Sequence, residues 1–298
     1  MIRTVRDVTV DDIPVAVSLI REALPTQPVD ADEVRSWLDD PGEAWLAMVE
    51  DDRGSALAYA DLAQPDREAG RIWLFLCIPE RSGDDETIGA AVEWAEATTR
   101  AAELHVVRAP AQPGTATARF LAANGYIAIR HSFQMRIELD DAPAEPAWPR
   151  GIAVRSLRPG EEHAVYEASE AAFADHWDWT PTPLEEWLHH MTKSGGFEPA
   201  LWLIALDGEE IAGVCICRPA PGDAGLGWVR QLGVRPPWRR RGLGTALLLA
   251  AFGLFWERGV RAVGLGVDGE NTTGAVDLYE RAGMRVFHRF DIYEKELT

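Results

Sequence analysis

Three arginines and two glycines stand together at positions 239–244, reading Arg-Arg-Arg-Gly-Leu-Gly. Arginine carries a permanent charge on a forked set of donors, and glycine leaves the backbone open to close approach, so the pattern suits an oxygen-rich anion. The chemistry depends on what positions the segment. Residues 227–234 are apolar enough for a buried strand and residues 246–256 for a packed helix, which predicts a strand end, a loop and a helix mouth across 234–245. At a helix mouth the first N–H groups lack intrahelical partners and the macrodipole is positive, so a phosphate-bearing ligand satisfies both.

Residues 261–267 predict a second short buried strand, and Asp268-Gly269-Glu270-Asn271 a loop. A helix over 273–282 follows, carrying Leu278-Tyr279-Glu280-Arg281 and stopped by Gly283. Strand, Arg-x-x-Gly-x-Gly, helix, strand, asparagine and tyrosine helix, in this order, resemble the GNAT superfamily of acyl-CoA N-acyltransferases. The resemblance implies an α/β fold (α+β mixed) with a central mixed, mostly antiparallel sheet flanked by helices. It implies that Arg239, Arg240, Arg241, Gly242, Leu243, Gly244 and Thr245 hold the pyrophosphate of coenzyme A. Leu232, Gly233 and Val234 would bond the pantetheine arm through their main chain, and Tyr279 would protonate the leaving thiolate. Asn271 matches the family's asparagine, one residue further from the tyrosine than usual. Acetyl-CoA or another acyl-CoA is then the co-substrate, and no metal is called for.

The chain also repeats itself. Ile2-Arg3-Thr4-Val5-Arg6 recurs as Ile152-Ala153-Val154-Arg155-Ser156, the segment around Trp45 as that around Trp202, and residues 70–79 as 227–236. Three prolines stiffen residues 141–150 between the copies. The expected organisation is therefore two tandem GNAT folds: a degenerate domain over 1–140, a linker over 141–150 and a catalytic domain over 151–298. Degeneracy follows from sliding Pro236 onto Pro79, which sets Ser82, Gly83 and Asp84 where the arginines stand and Asp85 and Thr87 where the glycines stand. Carboxylates at that mouth oppose an anion. Leu121, at the place of Tyr279, has no proton to give.

An attacking amine must lose a proton, so a base is needed. Candidates are Asp268 at a strand end, His176 and Asp178 in the run Asp175-His176-Trp177-Asp178-Trp179, and also Asp175, Glu185 and Glu186. A solvated surface is the competing reading for each. In tandem GNAT enzymes of the mycothiol-synthase type, which the architecture resembles, a glutamate precedes the cradle; its place here is Trp228. In the family the first helices line the acceptor pocket, so the resemblance implies that Trp177, Trp179 and Trp187, together with Trp228, shape a pocket for a bulky or cationic amine, with a core role as the alternative.

The net charge of −19 argues against a nucleic-acid or anionic-membrane partner. It suits an amine substrate, and equally plain solubility. Cys77, Cys215 and Cys217 fit neither a disulfide framework nor a metal site. The longest apolar run is too short to span a bilayer and the first residues carry no signal core, so a cytoplasmic location is expected. The leading function is transfer of an acetyl or larger acyl group from acyl-CoA to an amine of a small molecule. Alternatives are a donor presented by an acyl carrier protein, or a non-catalytic acyl-CoA sensor. A monomer and a homodimer are both open, since an internal pair can mimic a dimer.

Overall fold

The computed structural model describes residues 3–25, 29–193, 196–218 and 225–298; Ile2 of the first repeat lies outside them. The chain forms two compact units, Met1–Ser132 with Arg289–Thr298, and Phe133–His288.

The first unit contains β1 (Thr4–Asp7), α1 (Ile13–Ala23), α2 (Ala31–Leu38), β2 (Trp45–Glu50), β3 (Ala56–Asp66), β4 (Arg71–Cys77), α3 (Asp85–Ala101), β5 (Val106–Ala111) and α4 (Ala116–Ala123). β1 to β4 pair antiparallel in sequence order, and β4 pairs parallel with β5. β6 (Ile127–Glu138) begins in this unit and ends in the other.

The second unit repeats the order with β7 (Ile152–Ser156), α5 (Glu162–Phe173), α6 (Leu184–Thr192), β8 (Trp202–Asp207), β9 (Glu210–Arg218), β10 (Leu226–Val234), α7 (Leu243–Glu257), β11 (Ala262–Asp268) and α8 (Ala275–Arg281). β7 to β10 pair antiparallel, and β10 pairs parallel with β11. Helices cover both faces. Leu247, Phe252 and Phe255 of α7 and Tyr279 of α8 bury one face with Cys215 and Cys217. On the other, Val165 and Ala168 of α5 and Trp187 of α6 pack on Val214 and Ile216. α7 is nearly apolar all round because it lies in the core.

The units do not coincide with the linear halves. β12 (Arg285–Glu296) starts in the second unit, and its Asp291 to Glu296 pair antiparallel with β5 of the first. β6 does the converse, and Leu139 just beyond it donates its N–H to the carbonyl of Arg261 at 2.7 Å. Each sheet needs a last strand to cover the edge beside its parallel pair. In the strand order β12, from the C-terminal half, stands next to β5, and β6, from the N-terminal half, stands next to β11.

Candidate functional site: a split sheet and an open helix mouth

β10 and β11 are paired from Leu226–Ala262 to Val229–Leu265, where the ladder ends. At that point Arg230 is an extra residue, a bulge against β9 between the Val229–Cys217 and Gln231–Ile216 pairs. A bulge bends and twists its strand. Beyond it β10 stays with β9 and leaves a slot beside Gly266, Val267 and Asp268 of β11. Arg235 donates its N–H to Ala212 O, so ladder alternation turns Gly233 toward β9 and leaves Leu232 and Val234 to face the slot. Gly233 serves packing instead: a Cβ there would stand 2.9 Å from that of Ala172 on α5.

The slot opens on the mouth of α7. Gly242 caps it at φ 84, a left-handed conformation that glycine adopts without cost, and the first intrahelical bond is Ala246 N–H to Gly242 O. The N–H groups of Leu243, Gly244 and Thr245 are therefore unclaimed by the helix. Slot and mouth form one cleft of about 600 Å³ within the second unit.

The cleft gathers most of the expected residues: Leu232, Gly233, Val234, Arg239, Arg240, Gly242, Leu243, Gly244, Thr245, Asp268, Asn271, His176 and Tyr279. Arg241 is exposed and does not line it. Neither do Asp178, Trp177 and Trp179; Trp177 is 39% exposed, and Asp178 has a left-handed backbone with φ 63. Trp228 faces elsewhere. Its indole lies across Gly264 on β11, where a Cβ would come within 2.6 Å of the ring.

Tyr279 is 7% exposed, and burial, reinforced by the neighbouring Cys215 thiol, lifts its phenol above the usual range. It stays protonated. Burial pushes the His176 imidazole below its ordinary value, with Asp175 and Asp268 opposing the shift and Arg239 adding to it. It is neutral near neutral pH. Asn271 accepts the N–H of Thr273 at 2.8 Å, and this turn, followed by Gly274 at φ 79, delays α8 to Ala275. Arg239 spends its donors inside the protein, on Val234 O at 2.9 Å, Ala172 O at 2.9 Å and both oxygens of Asp175.

The equivalent mouth in the first unit is closed. Its β4–β5 ladder also ends early, at Trp73–Arg108, but the cap of α3 is Asp84, whose carboxylate accepts Thr87 N–H at 2.7 Å. Arg3 covers the pair, bonding Asp84 at 2.7 Å and the Thr87 hydroxyl at 3.0 Å.

Residues 162–284, which contain this whole cleft, match the Acetyltransferase (GNAT) family. A crystal structure of a GCN5-related N-acetyltransferase from Sphaerobacter thermophilus matches 99% of this chain and 95% of that one, with 34% identity and a TM-score of 0.77. The chain belongs to the GNAT family. As a GNAT it also shares its fold, at 19% identity and a TM-score of 0.77, with a tandem GNAT protein from the clavulanic acid biosynthesis pathway, over 99% of this chain and 98% of that one. Mycothiol acetyltransferase from Streptomyces scabiei is 34% identical over 193 residues, 64% of this chain and 62% of the relative. That from an Arthrobacter species is 34% identical over 182 residues, 59% of this chain and 55% of the relative. The matched part thus spans less than two thirds of the length of these curated relatives.

Two cleft residues carry no signal in the GNAT sequence pattern. Gln231, just past the bulge, has a buried Oε1 with no hydrogen-bond partner among the described residues. Phe173 walls the slot from α5 and stacks edge-on against His176 at 4.7 Å. Only a bulge and a helix end bring them there.

Proposed function

We propose that this protein transfers an acetyl or larger acyl group from acyl-CoA to the amine of a small molecule, in the cleft of the second unit. One observation carries the reading: a split sheet, an unclaimed helix mouth and a buried phenol share a single cleft. The residues present fit coenzyme A. Its pyrophosphate would be held by Arg240 and the N–H groups of Leu243, Gly244 and Thr245, with Arg241 at the rim adding charge. Leu232 and Val234 would bond its pantetheine arm. When bound, acyl-CoA supplies an activated thioester. Asn271 supports the loop through its turn with Thr273.

The protein's own groups handle the protons. His176 is the favoured base, since its imidazole is neutral at neutral pH and faces the cleft, while Asp268 stands beside it in the same cleft. Asp178 is not favoured, because it does not line the cleft. Tyr279 holds its proton until a thiolate requires one. The first unit, whose helix mouth holds its own carboxylate, is proposed to support the fold without binding coenzyme A.

Similarity to mycothiol acetyltransferases makes amines of thiol precursors the first acceptors to try. Trp228 at the place of the family glutamate, directed at Gly264, argues for a different base. Calorimetric titration with acetyl-CoA, followed by thiol release across an amine panel, tests the reading. Absence of coenzyme binding would sink it, and binding without thiol release with any amine would favour a sensor.

A further inference from the structure

The three arginines of the cradle divide their labour. Arg240 lines the cleft and Arg241, next to it in the chain, is exposed; neither has a hydrogen bond or ion pair among the described residues. Arg239 is committed four times over. Its Nε reaches Val234 O at 2.9 Å, its Nη2 reaches Ala172 O at 2.9 Å and Asp175 Oδ1 at 2.8 Å, and its Nη1 reaches Asp175 Oδ2 at 2.5 Å. One planar fork thereby ties together the splayed end of β10, the last turn of α5 and the turn that follows it. Ala172 O is one of the orphan carbonyls of a helix C-terminus, where a cation is favoured both by the dipole and by the free acceptor.

The residue after Asp175 is His176. Its N–H donates to Phe173 O at 2.8 Å, and its ring meets that of Phe173, which in turn lies where a Cβ on Gly233 would come within 3.1 Å. His176 is thus held on one side by Phe173, which itself packs against Gly233 of β10, and is joined on the other through the chain to the Asp175–Arg239 pair. We infer that Arg239 and Asp175 form a latch that positions His176 at the slot, and that Arg239 is not a ligand of the donor's phosphates. The inference rests on the transferase reading with His176 as base.

The pair is partly open to water, with side-chain exposures of 24% for Arg239 and 53% for Asp175. Exposed pairs contribute about 0–1 kcal/mol to stability, so breaking this one leaves the fold standing and isolates its effect on position. Four of the five N–H donors of Arg239 already have acceptors within the protein, whereas a phosphate ligand must keep a fork of donors for the ligand.

The test compares Arg239→Gln, Arg239→Lys, Asp175→Asn and the double variant Asp175→Asn/Arg239→Gln in the full chain. Coenzyme A affinity by calorimetry is expected to change less than about threefold in all of them, while kcat falls at least about tenfold in each Gln or Asn variant. The double variant falls no further than the worse single one, because both remove the same latch. Lysine, which can reach one partner but not make the fork, restores part of kcat. The pH profile separates position from charge. Losing the Asp175 carboxylate from a fixed His176 would lower the imidazole's pKa further, with Arg239 and Asp268 still facing it. Release into solvent raises it, so the acid limb of Asp175→Asn is expected to move to higher pH.

Amide exchange over residues 173–177, expected to quicken in Arg239→Gln and in Asp175→Asn, reads the latch without any activity. Unchanged exchange overturns it. So does an Arg239→Gln loss of coenzyme affinity of about tenfold or more with Asp175→Asn silent, which would make Arg239 a phosphate ligand. A wild-type protein that neither binds nor turns over acetyl-CoA defeats the transferase reading alone, and the exchange measurement still decides the latch.

Discussion

Asp84 accepts the N–H of Thr87 at 2.7 Å, so the first unit's helix mouth holds the chain's own carboxylate where the second unit's mouth is open. Burial works against ionising Asp84, but the bonds from Thr87 and Arg3 outweigh it and hold its carboxyl below the ordinary range. One coenzyme A per chain is the expected stoichiometry by calorimetry. Arg240→Glu should weaken that binding on the order of ten- to a hundredfold by replacing a charge-assisted donor with a repelling group. Asp84→Ala should leave it unchanged while costing about 1 kcal/mol of unfolding free energy as a lost cap. Two coenzymes per chain would overturn the division of labour.

Tyr279→Phe keeps the buried ring and deletes the proton. It should fold normally and lose at least about tenfold in kcat with little change in coenzyme affinity, measured by steady-state thiol release and calorimetry. An unchanged kcat would leave Tyr279 a packing residue.

The pH dependence of kcat/KM for the amine follows from His176. A base works unprotonated, and burial lowers this imidazole below its ordinary 6.5, so the acid limb is expected to have its midpoint below that value. Activity falls as pH drops through the midpoint. His176→Gln should remove the limb; if the limb survives, Asp268 becomes the base.

Gln231 lines the cleft, and its buried Oε1 has no hydrogen-bond partner among the described residues. An unsatisfied buried acceptor costs roughly 1–3 kcal/mol, so Gln231→Leu should raise Tm or leave it unchanged. If that oxygen receives the acceptor's N–H, the amine KM rises by about tenfold while coenzyme affinity holds. A lower Tm with unchanged KM would refute both halves.

Asp61 on β3 of the first unit shows the opposite titration. Burial lifts its carboxyl from 3.8 to about 7, so the folded state favours the protonated form. Its contribution to stability is fully present below about pH 4 and is lost as pH rises toward 7. At about 1.4 kcal/mol per pKa unit the loss is roughly 4 kcal/mol at most. Asp61→Asn should therefore raise Tm relative to wild type at pH 8 and not at pH 4, by calorimetry.

The local elements were legible because their determinants are local. The apolar runs 246–256 and 261–267 lie within α7 and overlap β11, and Gly283 ends α8 with φ 95. The strand partners of β6 and β12 were not, since two copies with the same alternating pattern leave no local mark of which sheet each joins. The α8 start shifted from 273 to 275 because Gly274 takes a left-handed backbone at φ 79, and the first helical bond runs from Leu278 N–H to Gly274 O.

The sequence by itself determined the family, through the spacing of arginines, glycines, Asn271 and Tyr279, and it determined which helix mouth is acidic, because charge and capping act within one turn. Only the tertiary structure decided which arginine is free and which is spent, how Arg230 bends β10 off β11, and that His176 reaches the cleft while Asp178 and Trp228 do not. Those outcomes depend on contacts between segments distant along the chain, as from Asp175 to Arg239, and no local pattern encodes the partner a side chain will meet.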